Sequence, residues 1–244
     1  MLAQLLQIQT SPSLTLYWIL LSLGCYVAYL IGFRKSAPSQ PVTSRNLALL
    51  IGVWIVFTGM LSSQGFFNHW DGFPPRLGII LLFNIGMVVF AARSESIRTV
   101  LRHTSGAFLI GFQVFRVPVE LLLHALYTEG QLPVHLTYSG YNFDILTGLT
   151  ALPAAWWTYR GGKVRKTFGL IWNIGGIILL VIIVGMALLT FPTPLQQFDT
   201  YPDNTIIATF PVIWLPAVLV MFAALFHVFS IRKLLRGGDQ TSTV

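Results

Sequence analysis

Seven apolar runs organise this chain, at residues 15–33, 46–63, 77–92, 106–127, 143–159, 167–190 and 210–231. A helix rises about 1.5 Å per residue and needs about 20 mostly apolar residues to cross a hydrocarbon core. The runs therefore predict an all-α, polytopic transmembrane bundle of seven spans, the third and fifth being the shortest. The connections leave no room for a separate soluble domain, so residues 1–244 read as one transmembrane domain. Composition excludes the alternatives. Only 9% of residues are charged, against about a quarter in soluble domains. A chain that is 55% hydrophobic is also far from the polar, highly charged composition that keeps a polypeptide disordered. Residues 1–14 lack a basic leader and a small-residue cleavage site, so they do not read as a signal peptide; they are expected to lie at the membrane interface.

Charge then orients the bundle. Short cytoplasmic loops retain Lys and Arg, and here 13 of the 15 basic residues fall in alternate connections. Arg34, Lys35 and Arg45 follow the first span, Arg93, Arg98 and Arg102 the third, Arg160, Lys163, Arg165 and Lys166 the fifth, and Arg232, Lys233 and Arg236 the seventh. The opposite loops hold Arg76 together with Asp71, Glu129, Asp199 and Asp203. The N-terminus is expected outside and the C-terminus inside. The net charge of +7 has its use in this asymmetry, and with no basic-aromatic surface of the nucleic-acid kind the expected partner is the lipid bilayer. The lone Cys25 can form no intramolecular disulfide and is expected to be packing.

The fourth span carries a polar stripe, Gln113, Arg116, Glu120, His124 and Tyr127, whose spacings of three and four set all five on one helix face. An arginine deep in a membrane is costly, about 2.5 to 3.5 kcal/mol on insertion scales, and must face the bundle and be paired. Glu120, one turn away, is the expected partner. Two readings follow: a structural clamp between helices, or an outward-facing site for a ligand or a proton. The site reading draws on the continuation of the stripe through His124 and on Asp144, which enters the fifth span at a similar level. Pro118 frees the carbonyl of Val114 and predicts a bend. Asn84 and Trp214 are further candidate lining residues, with Thr58 and Ser62 as weaker ones, while Pro211 and Pro216 break the start of the last span. Glu120 and His124, with Asp144 or His135, could be imagined around a metal, but spacing alone is unspecific, and no metal or cofactor is expected. His227 lies past the middle of its span and is expected at the cytoplasmic interface beside Arg232 and Lys233. Asn173, Gly175 and Gly176 are expected to allow close helix approach.

Several strings resemble, taken together, an uncharacterised family of bacterial seven-span integral membrane proteins. They are Pro74-Pro75-Arg76, Phe115-Arg116 with Glu120, Asn142-Phe143-Asp144-Ile145-Leu146-Thr147-Gly148, Trp172-Asn173, Phe191-Pro192-Thr193-Pro194, and Phe210-Pro211 through Trp214-Leu215-Pro216. The resemblance covers roughly residues 65–235 and implies a bacterial cytoplasmic (inner) membrane; it brings no activity, substrate or cofactor. In the family an acid and an arginine flank the glycine before the Asn-Phe-Asp string, whereas Ser139 and Tyr141 flank Gly140 here.

No phosphate loop, nucleophile elbow or His-Glu-Xaa-Xaa-His helix is present, and the last span has no lysine for a retinal Schiff base. The functional expectation is binding or translocation of a small polar or amphipathic molecule at an outward-facing intramembrane pocket of Arg116, Glu120, His124, Asp144, Gln113, Tyr127, Asn84 and Trp214. An enzyme acting on a lipid or lipid-linked substrate would use the same residues, with Glu120 or His124 as general base and Arg116 as electrostatic stabiliser. A non-catalytic membrane subunit is the third reading. The orientation has a direct check. In intact cells, after Cys25→Ala, a cysteine at Ser39→Cys should resist impermeant thiol reagents and one at Thr200→Cys should react; the reverse labelling would invert the topology.

Overall fold

The computed structural model describes residues 10–34, 40–70, 72 and 74–236. Residues 1–9 of the expected interfacial stretch, together with Lys35, Ser39 and Asp71, lie outside that range. Every element among the described residues is helical. In order these are α1 (Pro12–Arg34), α2 (Pro41–Ser63), α3 (Gly78–Arg93), α4 (Glu95–His103), α5 (Gly106–Thr128), α6 (Ile145–Thr158), α7 (Lys163–Thr190) and α8 (Val220–Arg236).

All seven apolar runs form helices, but they are not equal in reach. Five helices are long and apolar enough to cross a membrane, and a sixth is reached if α3 and α4, bent by 73° at Ser94, count as one broken span. With 16 and 14 residues, α3 and α6 extend only about 24 Å and 21 Å, against a core of about 30 Å. The α4 helix lies in a stretch that reads from the sequence as a plain connection. Its first turn is capped by Ser94 Oγ, which accepts from the Ile97 amide at 3.3 Å, and its apolar face buries Ile97, Val100 and Leu101.

α8 is the axis of the bundle, packing against α3, α5 and α7. Of its membrane window 61% is buried inside the protein, and of the α5 window 56%, whereas α1 and α7 bury 28% and 17%. The outer helices turn Ile31, Val53, Ile171 and Val181 outward, an apolar surface suited to lipid rather than to water. Aromatic rings fill the contact between α5 and α8: Phe112 stacks on Phe226 at 3.9 Å, and Phe33 of α1 meets both Phe226 and Phe229 edge-on.

The start of α8 is irregular, as its prolines foretell. A π turn over Leu215–Leu219 precedes the helix, and its exposed carbonyls are taken by side chains of neighbouring helices. Asn84 Nδ2 donates to Pro216 O at 2.8 Å and Trp54 Nε1 to Ala217 O at 3.0 Å, while Trp214 Nε1 returns a bond to Ile55 O at 3.0 Å. Ser62 Oγ donates to Ala208 O at 2.8 Å, and Thr58 bonds back to its own helix at Trp54 O. Such pairing is what an apolar surrounding demands of broken backbone. At the other end, Lys233 Nζ donates to Leu101 O and Arg102 O at 2.9 and 3.2 Å, and Arg232 donates to Ala91 O and Ser94 O. These cations close the C-terminal carbonyls of α3 and α4, where the helix dipole favours positive charge.

His227 departs from the sequence expectation. It is fully buried inside the protein, where an exposed side chain was expected. α8 continues to Arg236, so the ring sits deeper from the helix end than the apolar run suggests, and Gly176 of α7 opens space for it. A Cβ at Gly176 would fall 2.4 Å from His227 Cε1, whereas one at Gly175 would meet nothing within 4 Å. Gly176→Ala should therefore destabilise the fold by about 1 to 3 kcal/mol of overpacking, read as a lower thermal unfolding midpoint in detergent, while Gly175→Ala should be neutral or slightly stabilising; equal effects would contradict this packing.

Candidate functional site

The polar stripe of α5 does enter the interior, and it begins where the helix tightens. Residues Phe112–Phe115 wind as a 3-10 turn, and the Arg116 amide bonds to Gln113 O and Val114 O, which gives the carbonyl opposite Pro118 a partner. Gln113, Arg116 and Glu120 are all buried. Gln113 spans two helices, donating from Nε2 to Ala223 O of α8 at 3.0 Å and accepting from Arg116 Nε on Oε1 at 3.1 Å.

Arg116 is paired, but not with Glu120. Its Nη1 forms a salt bridge with Asp144 Oδ1, a residue 28 positions away at the start of α6. Helical side chains lean toward the N-terminus, so Arg116 reaches back to Gln113 and away from Glu120, and Arg before Glu is the less favourable order at i, i+4. Asp144 occupies the N-cap position of α6, yet its carboxylate makes no cap bond; it is turned onto the guanidinium. Close approach of α6 makes this possible. A Cβ at Gly148 would lie 2.9 Å from Val117 N and 3.2 Å from Arg116 Cβ, so a glycine there lets the two helices touch.

Glu120 is held by Asn142. Asn142 Nδ2 donates to Glu120 Oε1 at 2.7 Å and to Leu136 O at 3.1 Å, and its Oδ1 accepts the Asp144 amide at 3.1 Å. One buried amide thus ties Glu120, the loop before α6 and the first turn of α6 together. Two polar atoms of the cluster have no protein partner: Arg116 Nη2 and Glu120 Oε2. The cluster also holds two carboxylates against one guanidinium.

The C-terminal part of the stripe separates from this cluster. His124 is half-buried and stacks on Tyr138 at 4.5 Å, with exposed Tyr127 at 5.7 Å. His135 packs on Tyr141 and Phe198. Asn84 and Trp214 make their bonds at the π turn before α8, as described above. Among the described residues no group of three or more His, Cys, Asp or Glu side chains is placed to hold a metal ion.

The profile of a family described as a domain of unknown function, DUF8737, matches residues 75–235, a stretch running from α3 into the last turn of α8 and containing every member of the cluster. The chain belongs to the DUF8737 family. No curated protein and no solved structure matches the chain. The matched region leaves out α1 and α2, and Gln113, Arg116, Glu120, Asn142 and Asp144 all lie within it.

Sequence reasoning missed Asn142 as a site residue and His227 as a buried one. The signal for Asn142 was present: an Asn two residues before an Asp that opens a helix forms an Asx turn. Asn142→Ala should leave Glu120 without its hydrogen bond and cost about 1 to 3 kcal/mol of stability. Adding Glu120→Leu should recover most of that loss in detergent unfolding; no recovery would contradict the pairing.

Proposed function

We propose that this chain is a multi-pass protein of a bacterial inner membrane, with seven spans, its N-terminus outside and its C-terminus inside. It binds or translocates a small polar or amphipathic molecule at the cluster of Arg116, Glu120 and Asp144, with His124 and Tyr127 on the outward approach. The alternation of basic loops supports the orientation. A short α6 is compatible with a crossing because the loop before it buries Leu132, Leu136, Thr137 and Asn142, and irregular backbone is tolerated at membrane depth when protein covers it.

The observation that carries the functional reading is incomplete satisfaction. A clamp between α5 and α6 needs one guanidinium and one carboxylate. This interior adds a second buried carboxylate and leaves Arg116 Nη2 and Glu120 Oε2 without partners. Buried polar groups without partners cost stability, and a ligand that accepts from Nη2 and donates to Oε2 removes that cost. Arg116 then receives the anionic or carbonyl end of the molecule, Glu120 its hydroxyl or amine, and Asp144 keeps the guanidinium in place.

Native mass spectrometry of the full chain extracted in mild detergent tests this reading. A small-molecule adduct is expected on the wild type and should be lost from Arg116→Met with Asp144→Leu, a pair chosen to leave the net charge of the interior unchanged. An unliganded wild type, or an adduct retained by the double variant, would overturn the proposal.

A further inference from the structure

α1 and α2 touch where Tyr26 meets Ala48. The Tyr26 hydroxyl donates to Ala48 O at 2.7 Å, and a Cβ at Gly52 would fall 2.8 Å from that hydroxyl. Beyond this contact, toward the end of α1 and the start of α2, an open groove of about 430 Å³ lies between the two helices. Tyr29, Leu30 and Phe33 line it from α1, and Ser44 and Ala48 from α2, in the three- and four-residue spacing of one helix face on each side. Its floor is fixed. Tyr29 and Phe33 are buried 4.9 Å apart and rest on Phe222 and Phe229 of α8 at 5.6 and 5.8 Å. Its rim is apolar and exposed: Leu30 stands beside Val27 and Ile31 on the outward surface of α1.

The same groove carries two cations without a counter-charge. Arg34 and Arg45 both line it and both are exposed. Among the described residues the ion pairs are Arg98 with Glu95 and Arg116 with Asp144. The neighbouring α4, whose Ile97 and Val100 border the same aromatic floor, offers one acid, Glu95, and Arg98 takes it. Ser44 adds a third group: its Oγ is buried and has no partner, although its amide bonds to Gln40 O. An occupant must therefore bring an anion for two guanidiniums and a hydroxyl, and an apolar portion for the aromatic wall. Guanidiniums pair with phosphate oxygens through parallel N–H bonds. Free phosphate satisfies the arginines and leaves the wall bare, and a zwitterionic lipid brings its own cation beside its phosphate. An anionic phospholipid meets both requirements.

We propose that the groove between α1 and α2 is a binding site for one anionic phospholipid, with its phosphate on Arg34 and Arg45 and an acyl chain along Tyr29, Leu30, Phe33 and Ala48. In the orientation proposed above, this is a lipid of the cytoplasmic leaflet, where basic pockets between spans take such headgroups. The site is separate from the Arg116 cluster and requires only that the chain lies in a bilayer, so either reading can fail without the other. In the mass-spectrometric test above, a background of Arg34→Gln with Arg45→Gln removes the lipid of this groove, and an adduct that remains reports on the Arg116 cluster.

Photocrosslinking of the full chain, reconstituted in phosphatidylcholine vesicles with a trace of phosphatidylglycerol bearing a photoreactive acyl chain, reads the site directly. Peptide mapping of the wild type should place the label between Tyr26 and Ala48, and phosphatidylcholine with the same photoreactive chain should label that stretch about tenfold less. Arg34→Gln with Arg45→Gln should lower the phosphatidylglycerol label about tenfold. Arg160→Gln with Arg165→Gln, which removes the same charge from the turn between α6 and α7, should leave it unchanged, and added inorganic phosphate should not displace it. Equal labelling of the wild type by the two lipids overturns the proposal without need of any variant. So does a label indifferent to Arg34 and Arg45, one lowered equally by the Arg160 and Arg165 pair, or one displaced by inorganic phosphate, which would reduce the site to an anion contact.

Discussion

The guanidinium of Arg116, buried among apolar helices, is the constraint around which the rest of the interior is arranged. It must be neutralised from another element, because its neighbour on the same helix points the wrong way, and Asp144 supplies the charge from the first turn of α6. That requirement draws α6 against α5 closely enough that position 148 must lack a side chain. Gln113 extends the same anchor to α8 through the Ala223 carbonyl. Removing one member of such a pair typically costs about 3 to 5 kcal/mol because a buried charge is left alone, whereas the net contribution of the intact pair is small. The pair is therefore better regarded as a device that fixes how three helices meet, leaving Glu120 with a neutral partner and a free oxygen.

A second constraint, the need to satisfy broken backbone inside an apolar surrounding, accounts for polar residues that a sequence reader would assign to a pocket. Asn84 and Trp214 make bonds to backbone carbonyls around the π turn before α8, and Trp54 and Ser62 do the same. Arg232 and Lys233, which read as interfacial positive charge, close the ends of α3 and α4. The irregular start of α8 and its central position go together, since only a helix surrounded on several sides finds enough donors.

Apolar run length made the helices legible but not all of their ends: the run at 167–190 lies within α7 and that at 46–63 within α2, whereas the run at 210–231 starts ten residues before α8 and stops five short of its end. Helix reach was less legible, because α3 stops where Ser94 caps the start of α4 and α6 starts only after the Asn142 side chain has taken the Asp144 amide, boundaries set by side-chain chemistry and not by hydropathy. Within the site, periodicity set Gln113, Arg116 and Glu120 on one face, and the structure brings Asp144 to them as the sequence level suggested. Pairing was not legible. Whether Arg116 meets Glu120 or Asp144 depends on side-chain lean and on the approach allowed by Gly148, neither of which a one-dimensional pattern displays. The burial of His227 was illegible for a related reason: position along an apolar run speaks to depth, whereas burial depends on the groove that Gly176 leaves.

The central claim is that Arg116 is held by Asp144 across helices and not by Glu120 along its own. Double-mutant cycles on the full chain, unfolded reversibly in detergent, separate the two. Arg116→Met combined with Asp144→Leu should show a coupling of at least about 2 kcal/mol, as expected when a buried charge pair is removed together rather than singly. Arg116→Met combined with Glu120→Leu should be nearly additive. Strong coupling to Glu120 with additivity at Asp144 would contradict the account.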